Sequence, residues 1–146
     1  MPAIHPKTRA TLQVGDTGSF TKTISELDVF KFADVTGDFN PLHVDEEYAR
    51  KSIFKHRIAH GILIAGIIST VLGSEIPGVG TVFVELEIKF LKPVYLGDTV
   101  TALATVLEFP HAKRVRLLVA CRNTGGEDVA LGNALVIPPV ETQLIV

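Results

Sequence analysis

Thr36-Gly37-Asp38-Phe39-Asn40-Pro41-Leu42-His43 is a polar turn. From Ala59 the chain then runs His60-Gly61-Ile62-Leu63-Ile64-Ala65-Gly66-Ile67-Ile68-Ser69-Thr70-Val71-Leu72-Gly73, apolar on every side. A helix without a polar face must be enclosed by protein, so the stretch from Asp34 to Gly73 predicts a buried helix over about Ala59 to Leu72, with Gly73 as its C-cap. In the turn, an acid and an imidazole stand five residues apart beside Gly and Pro, which hold a tight bend. Asp38 and His43 can then point into one small space, and the chemistry is placed there.

Outward from this stretch, 146 residues suit one domain with one core, expected to span 1–146 with a flexible N-terminus of about 1–15. A composition 47% hydrophobic and 21% charged excludes disorder, and 14 basic against 16 acidic residues give no footprint for nucleic acid. The uncharged run Gly61 to Ser74 is 14 residues long, short of the roughly 20 a spanning helix needs, so no membrane partner is expected. Cys121 is the one cysteine and no apolar leader opens the chain, which reads as cytoplasmic.

Before the turn, Gly18 to Ile24 alternates like a strand, and Ser25 with Asp28 forms a capping box for a helix over about 26–35. Leu27, Phe30 and Ala33 make its apolar stripe and Gly37 ends it. After His43, Asp45 caps a short helix through Arg50. Beyond the apolar helix, residues 81–91 place Val82, Val84, Leu86, Ile88 and Phe90 on one face of a half-buried strand. Thr99 to Phe109, Lys113 to Asn123 and Asp128 to Ile137 are three further strands. The expected class is therefore α+β: an antiparallel sheet of about five strands wrapped around one central buried helix. Such a sheet leaves a long edge, which predicts a homodimer, joined edge to edge.

Spacing alone leaves two readings of Asp38 and His43 open: an acid/base pair gripping one water, or an Asx turn beside a surface histidine. Asn40 between them can hold backbone or water. Gly61 opens the apolar helix, where unpaired N–H groups and the positive end of the helix could hold an oxyanion; its alternative is a glycine needed for packing. His56 and His60 stand at i, i+4 without a third ligand, so no metal site is expected. Gly78-Val79-Gly80 is a loop, Cys121 a core residue, and Lys92, Lys113, Arg114 and Arg116 are solvated cations or contacts for an anionic ligand.

Asp34-Val-Thr-Gly-Asp-Phe-Asn-Pro-Leu-His43, with Ala59-His-Gly-Ile-Leu63 and Phe90-Leu-Lys-Pro-Val-Tyr-Leu-Gly-Asp98, resembles the MaoC-like R-specific enoyl-CoA hydratases over roughly residues 18–137. The resemblance implies the hot-dog fold, two protomers joined, and reversible addition of water to a trans-2-enoyl thioester. It implies Asp38 and His43 as the catalytic pair, the Gly61 N–H as the oxyanion donor, and a supporting, substrate-binding role for Asn40 by its place in the motif; Ser69 is given the same role as the most prominent hydroxyl on the apolar helix. No cofactor is implied, because coenzyme A is part of the substrate. Leu63, Ile67, Leu72 and Ile76 are the candidate lining of the acyl tunnel.

Three rival functions carry different expectations. An R-3-hydroxyacyl-acyl carrier protein dehydratase resembles this pattern equally and would take a protein partner. A thioesterase of the same fold would carry an acid on the central helix, and Gly61 to Leu72 has none. A non-catalytic acyl-CoA binding module would not need an ionised acid facing its ligand.

Overall fold

The computed structural model describes residues 6–140. The elements in chain order are β1 (Thr17–Thr23), α1 (Glu26–Thr36), α2 (Pro41–Val44), α3 (Glu46–Arg50), α4 (Gly61–Ser74), β2 (Val82–Phe90), β3 (Thr99–His111), β4 (Arg114–Arg122) and β5 (Asp128–Ile137). All five strands are antiparallel in one sheet of order β1-β3-β4-β5-β2. The sheet curls around α4, as the hot-dog architecture requires. Ile64, Ile67, Ile68, Val71 and Leu72 of α4 meet Val100, Ala102, Ala104, Val106, Leu117 and Val119 of the sheet in one core.

Local signals place the segments that carry the site. Ser25 accepts from Asp28 N–H and Asp28 accepts from Ser25 N–H, the predicted capping box, and Gly37 at φ 80° ends α1 in the left-handed region. The apolar face of α1 differs from expectation. Val29 and Ala33 are buried, while Leu27 is 60% and Phe30 40% exposed. The helix is rolled so that Val29, Phe32 and Ala33 point inward, which puts Phe32 against His60.

Gly73 is not the C-cap of α4. The helix runs on to Ser74 and is capped at Glu75, whose N–H bonds Val71 O. Pro77, which has no N–H and disfavours helical geometry in the residue before it, is the stop signal. The helix is also not enclosed all round: Ile62, Gly66, Ser69 and Gly73 form a stripe that the single chain leaves uncovered.

In β2 the expected alternation breaks. A bulge between Phe83 and Glu85 leaves Val84 as an extra residue against β5, so Val82 and Val84 stay exposed and only Leu86 and Ile88 reach the core. The strand is an edge of the sheet, with one side unpaired. Of the N-terminus expected to be flexible, residues 1–5 lie outside the described residues; within 6–15 Leu12 is buried, Lys7 pairs with Asp16 at 2.9 Å, and Lys7 N–H bonds Pro77 O.

Candidate active site

The left-handed Gly37 turns the chain out of α1 and into the bend. There the Asp38 carboxylate accepts the Asn40 N–H at 3.2 Å, and the Asn40 side-chain oxygen accepts the Leu42 N–H at 3.1 Å. Asn40 thereby caps α2, with Pro41 at its first position, and one turn presents His43 inward. The Asx turn of the alternative reading is real, but His43 is no surface histidine: it is 8% exposed. One oxygen of Asp38 serves the turn and the other is left for chemistry.

His43 Nδ1 lies 2.7 Å from Ile58 O. A carbonyl only accepts, so Nδ1 carries the hydrogen and Nε2 is the nitrogen free for a ligand. Burial holds the His43 imidazole below its ordinary 6.5, and the neighbouring His60 pushes the same way; the Ile58 carbonyl and Asp38 act against them without overcoming the loss of water. At neutral pH the ring is therefore an acceptor at Nε2.

His60, the N-cap of α4, is 2% exposed and its Nε2 donates to the Asp38 backbone carbonyl at 3.0 Å. Its ring lies against His43, centroids 3.9 Å apart and tilted by 32°, with Phe32 at 4.6 Å. Ligand atoms of Asp38, His43 and His60 come within 4.8 Å of one another. That span suits one water bridged by two hydrogen bonds of about 2.8 Å. Of the three possible ligands in this group, His60 already spends its Nε2 on the Asp38 carbonyl and His43 its Nδ1 on Ile58 O. His56, at i, i+4 from His60 in sequence, lies apart from this group in an exposed turn, bonded to Glu46 at 3.0 Å.

Gly61 is the first residue of α4, and His60 gives that end no side-chain cap, so the first-turn N–H groups lack a helical or capping partner. Gly61 lines a cleft of about 400 Å³ together with His43, Phe54, Ile64, Phe90 and Lys92. That volume lies within the range of small-molecule sites, about 300–1,000 Å³. The cleft's apolar wall is not the expected one. Ile64, Phe54 and Phe90 line it, while Leu63, Ile67, Leu72 and Ile76 do not. Ile67, Leu72 and Ile76 are buried in the core instead.

Asp38 is exposed and Asn40 stands beside it in the bend. Ser69 is not brought to this place; it lies two turns along α4 on the uncovered stripe, and within one chain geometry gives it no contact with the cleft. Lys92 lines the cleft and is paired with Glu127, whereas Arg116 is held by Glu108 and Asn133 on the other side of the sheet. Cys121 is wholly buried, with its thiol pushed up to about 12 by loss of water, so the core reading holds. Sequence reasoning missed His60 as a partner of Asp38, and Phe90 as the ring that rests on Gly61. A polar residue inside Ile58-Ala59-His60-Gly61-Ile62 was the available signal for the first.

Residues 10–123 match the model of the MaoC like domain. The chain is 46% identical over 129 residues to an (R)-specific enoyl-CoA hydratase of Rhodospirillum rubrum, covering 88% of this chain and 89% of that one. It is 44% identical over 129 residues to a 3-hydroxybutyryl-CoA dehydratase of Methylorubrum extorquens, covering 88% and 82%. Its fold superposes on the unliganded R-hydratase PhaJ1 of Pseudomonas aeruginosa with a TM-score of 0.92 at 36% identity, covering 98% of this chain and 92% of that one. Fold, motif order and similarity agree: the chain belongs to the MaoC-like family.

Proposed function

We propose that this protein is an R-specific enoyl-CoA hydratase, a hydro-lyase that reversibly adds water to a trans-2-enoyl-CoA to give the (R)-3-hydroxyacyl-CoA. The observation that carries the reading is the Asp38–His43 pair, with ligand atoms within 4.8 Å of one another, where His43 also lines an apolar cleft shared with Gly61.

The chemistry follows from which atoms are free. A water between the two side chains gives one hydrogen to the Asp38 carboxylate and the other to His43 Nε2. Asp38 takes its proton as the water oxygen bonds C3 of the enoyl group. The electron pair of the double bond moves through C2 to the thioester oxygen, where the Gly61 N–H holds the developing charge. Asp38 then gives its proton back to the new hydroxyl oxygen while the hydroxyl's own proton passes to His43 Nε2 and on to C2, which restores the thioester and leaves both side chains as they began. A positioned acid/base group contributes about 10²–10⁴-fold and an oxyanion donor about 10²–10³-fold. Asn40 supports the pair by fixing the bend. Each of these groups is an amino-acid side chain or backbone atom, so the reading uses no cofactor beyond the coenzyme A that belongs to the substrate.

The functional unit on this reading is a homodimer in the cytoplasm. Support comes from the β2 edge, where Val82 is 55%, Phe83 36% and Val84 39% exposed, and from the uncovered stripe of α4. Unpaired edges and apolar patches of this kind are normally covered. A second copy pairing β2 to β2 would extend the sheet and cover the stripe.

The test is loss of the enoyl-thioester absorbance with crotonyl-CoA and then a medium-chain trans-2-enoyl-CoA, with chiral analysis of the product. The expected result is the R alcohol, formed by the parent and not by Asp38→Asn, which keeps shape and removes the base. Turnover only on acyl carrier protein substrates would make the protein a dehydratase of fatty-acid synthesis. Ligand affinity without turnover in the parent would make it a binding module.

A further inference from the structure

Three elements meet at His60, and none of the catalytic steps above uses it. Its ring is the middle layer of a stack, Phe32 of α1 on one side at 4.6 Å and His43 of α2 on the other at 3.9 Å. Its Nε2 holds the backbone carbonyl of Asp38 at 3.0 Å. Its Nδ1 is buried with no hydrogen-bond partner among the described residues. An unpaired buried nitrogen costs stability, and a phenylalanine in the same slot would stack without that cost. The imidazole therefore has its use at the other nitrogen, the one that grips Asp38.

We infer that His60 is a positioning residue for the acid/base pair, holding the Asp38 backbone through Nε2–H and fixing the plane of the His43 ring by stacking. The inference rests on the assignment of Asp38 and His43 as the reacting groups. Asp38 sits in an exposed bend whose other anchors are local: its own N–H to Thr36 Oγ1 at 3.3 Å and its side chain to Asn40 N–H. The bond from His60 is the one that ties this bend to the N-terminus of α4, and hence to the Gly61 N–H next in sequence. The distance between base and oxyanion donor is set across that bond. His43, for its part, is tethered at Nδ1 by Ile58 O and kept from tilting about that tether by the ring beneath it.

His60→Phe and His60→Gln separate the two contributions. Phenylalanine keeps the stack and loses the donor; glutamine keeps an N–H near the same place and loses the ring. With His60→Phe, kcat is expected to fall about 10²-fold, the cost of a small misplacement of reacting groups, while KM for crotonyl-CoA and the thermal unfolding midpoint stay near the parent's. His60→Gln is expected to recover part of that loss. Asp38 in the bend and His60 at the start of α4 are the titratable groups that act on His43, with Lys92 also lining its cleft. The acid limb of the kcat profile should accordingly shift upward in both variants, because the imidazole that pushes His43 down is gone.

Parental kcat in His60→Phe would overturn the inference. So would a loss confined to KM, a loss fully explained by unfolded protein in an active-fraction titration, or no recovery by His60→Gln. Asp38→Asn, assayed alongside, keeps the two levels apart: if it retains turnover the catalytic assignment itself fails, and if it is dead while His60→Phe is fully active only the role of His60 fails.

Discussion

Gly61→Ala decides between the two uses of that glycine, because the structure separates what a methyl group would do to the fold from what it would do to the cleft. A Cβ at Gly61 would stand 3.1 Å from two atoms of the Phe90 ring and 3.3 Å from a third, so its nearest neighbours outside the helix are side-chain atoms. The Phe90 side chain is 48% exposed, so it can give by the few tenths of an ångström required. Gly61 does not sit in the left-handed region, and alanine is the better helix former by about 1 kcal/mol in a helix interior. The gain from propensity and the strain against Phe90 are of similar size, so stability should change by no more than about 1 kcal/mol. The same methyl group projects from the first residue of α4 into the cleft, beside the N–H that is to meet the thioester oxygen. Alanine keeps the N–H but crowds the place of the thioester oxygen, so hydration of crotonyl-CoA should fall, with the loss for a missing oxyanion donor, about 10²–10³-fold, as the upper limit. The assay is paired: kcat and KM from the absorbance of the enoyl thioester, and unfolding followed by circular dichroism on the same preparation. Full activity would refute the oxyanion role. A large drop in stability with parental kcat per folded molecule would show that the glycine serves packing alone.

Other predictions test the frame and the titrating groups. Gly132→Ala should be far more damaging to the fold: its Cβ would lie 2.8 Å from both the Glu87 carbonyl carbon and Ile88 Cα, backbone atoms of β2 that cannot swing away. Overpacking of this kind costs about 1–3 kcal/mol or more, seen as a fall in Tm of about 2–4 °C per kcal/mol. The acid limb of the kcat/KM profile should have its midpoint below 6.5, since burial depresses His43 and its neutral form is the working one. The depressed value also means that the unfolded chain binds a proton before the folded chain does. Stability measured by denaturant should therefore fall as pH drops through 6.5 and level off once it passes the folded value. Val82→Lys with Val84→Lys places like charges on the β2 edge, and light scattering should give half the parental mass; an unchanged mass would move the dimer to another surface.

Much of this architecture was legible because its signals are local. Ser25 with Asp28, Gly37 after Thr36, and Asp45 before Glu46 each set a boundary through a bond or a dihedral made within four residues, and each was found where the sequence put it, whereas the single turn of α2 that Asn40 and Pro41 start was not foreseen. The apolar helix was legible for a different reason: its composition demands enclosure, whatever encloses it. The errors fall where the deciding partner is distant in sequence. The bulge at Val84 is a mismatch with Val136 and Leu135 of β5, and the roll of α1 is set by His60 meeting Phe32. The lining of the cleft depends on how Phe90, at the end of β2, comes to rest on Gly61, which no spacing in either segment records. Ser69, the prominent hydroxyl on the apolar helix, lies on the side of α4 that the single chain leaves open, a side that its sequence alone does not fix.

The site also explains why its motif is so compact. Asp38 and His43 can each do two jobs with two different side-chain atoms. Asp38 spends one oxygen on the Asn40 N–H and keeps the other, and His43 spends Nδ1 on Ile58 O and keeps Nε2. Asn40 spends its side-chain oxygen on the start of α2, the helix that delivers His43. The groups proposed to perform the chemistry are thus largely the groups that build the bend, with Thr36 Oγ1 accepting the Asp38 N–H beside them. Removing one atom of such a set should cost more than removing that atom's share, because the survivors lose their geometry along with their partner. A double-mutant cycle between Asp38→Asn and Asn40→Ala measures this directly. If the bend and the chemistry were independent, the two losses in kcat would multiply. On the geometry described here Asn40→Ala should cost much activity in the parent and almost none once Asp38→Asn has removed the base that the bend exists to aim.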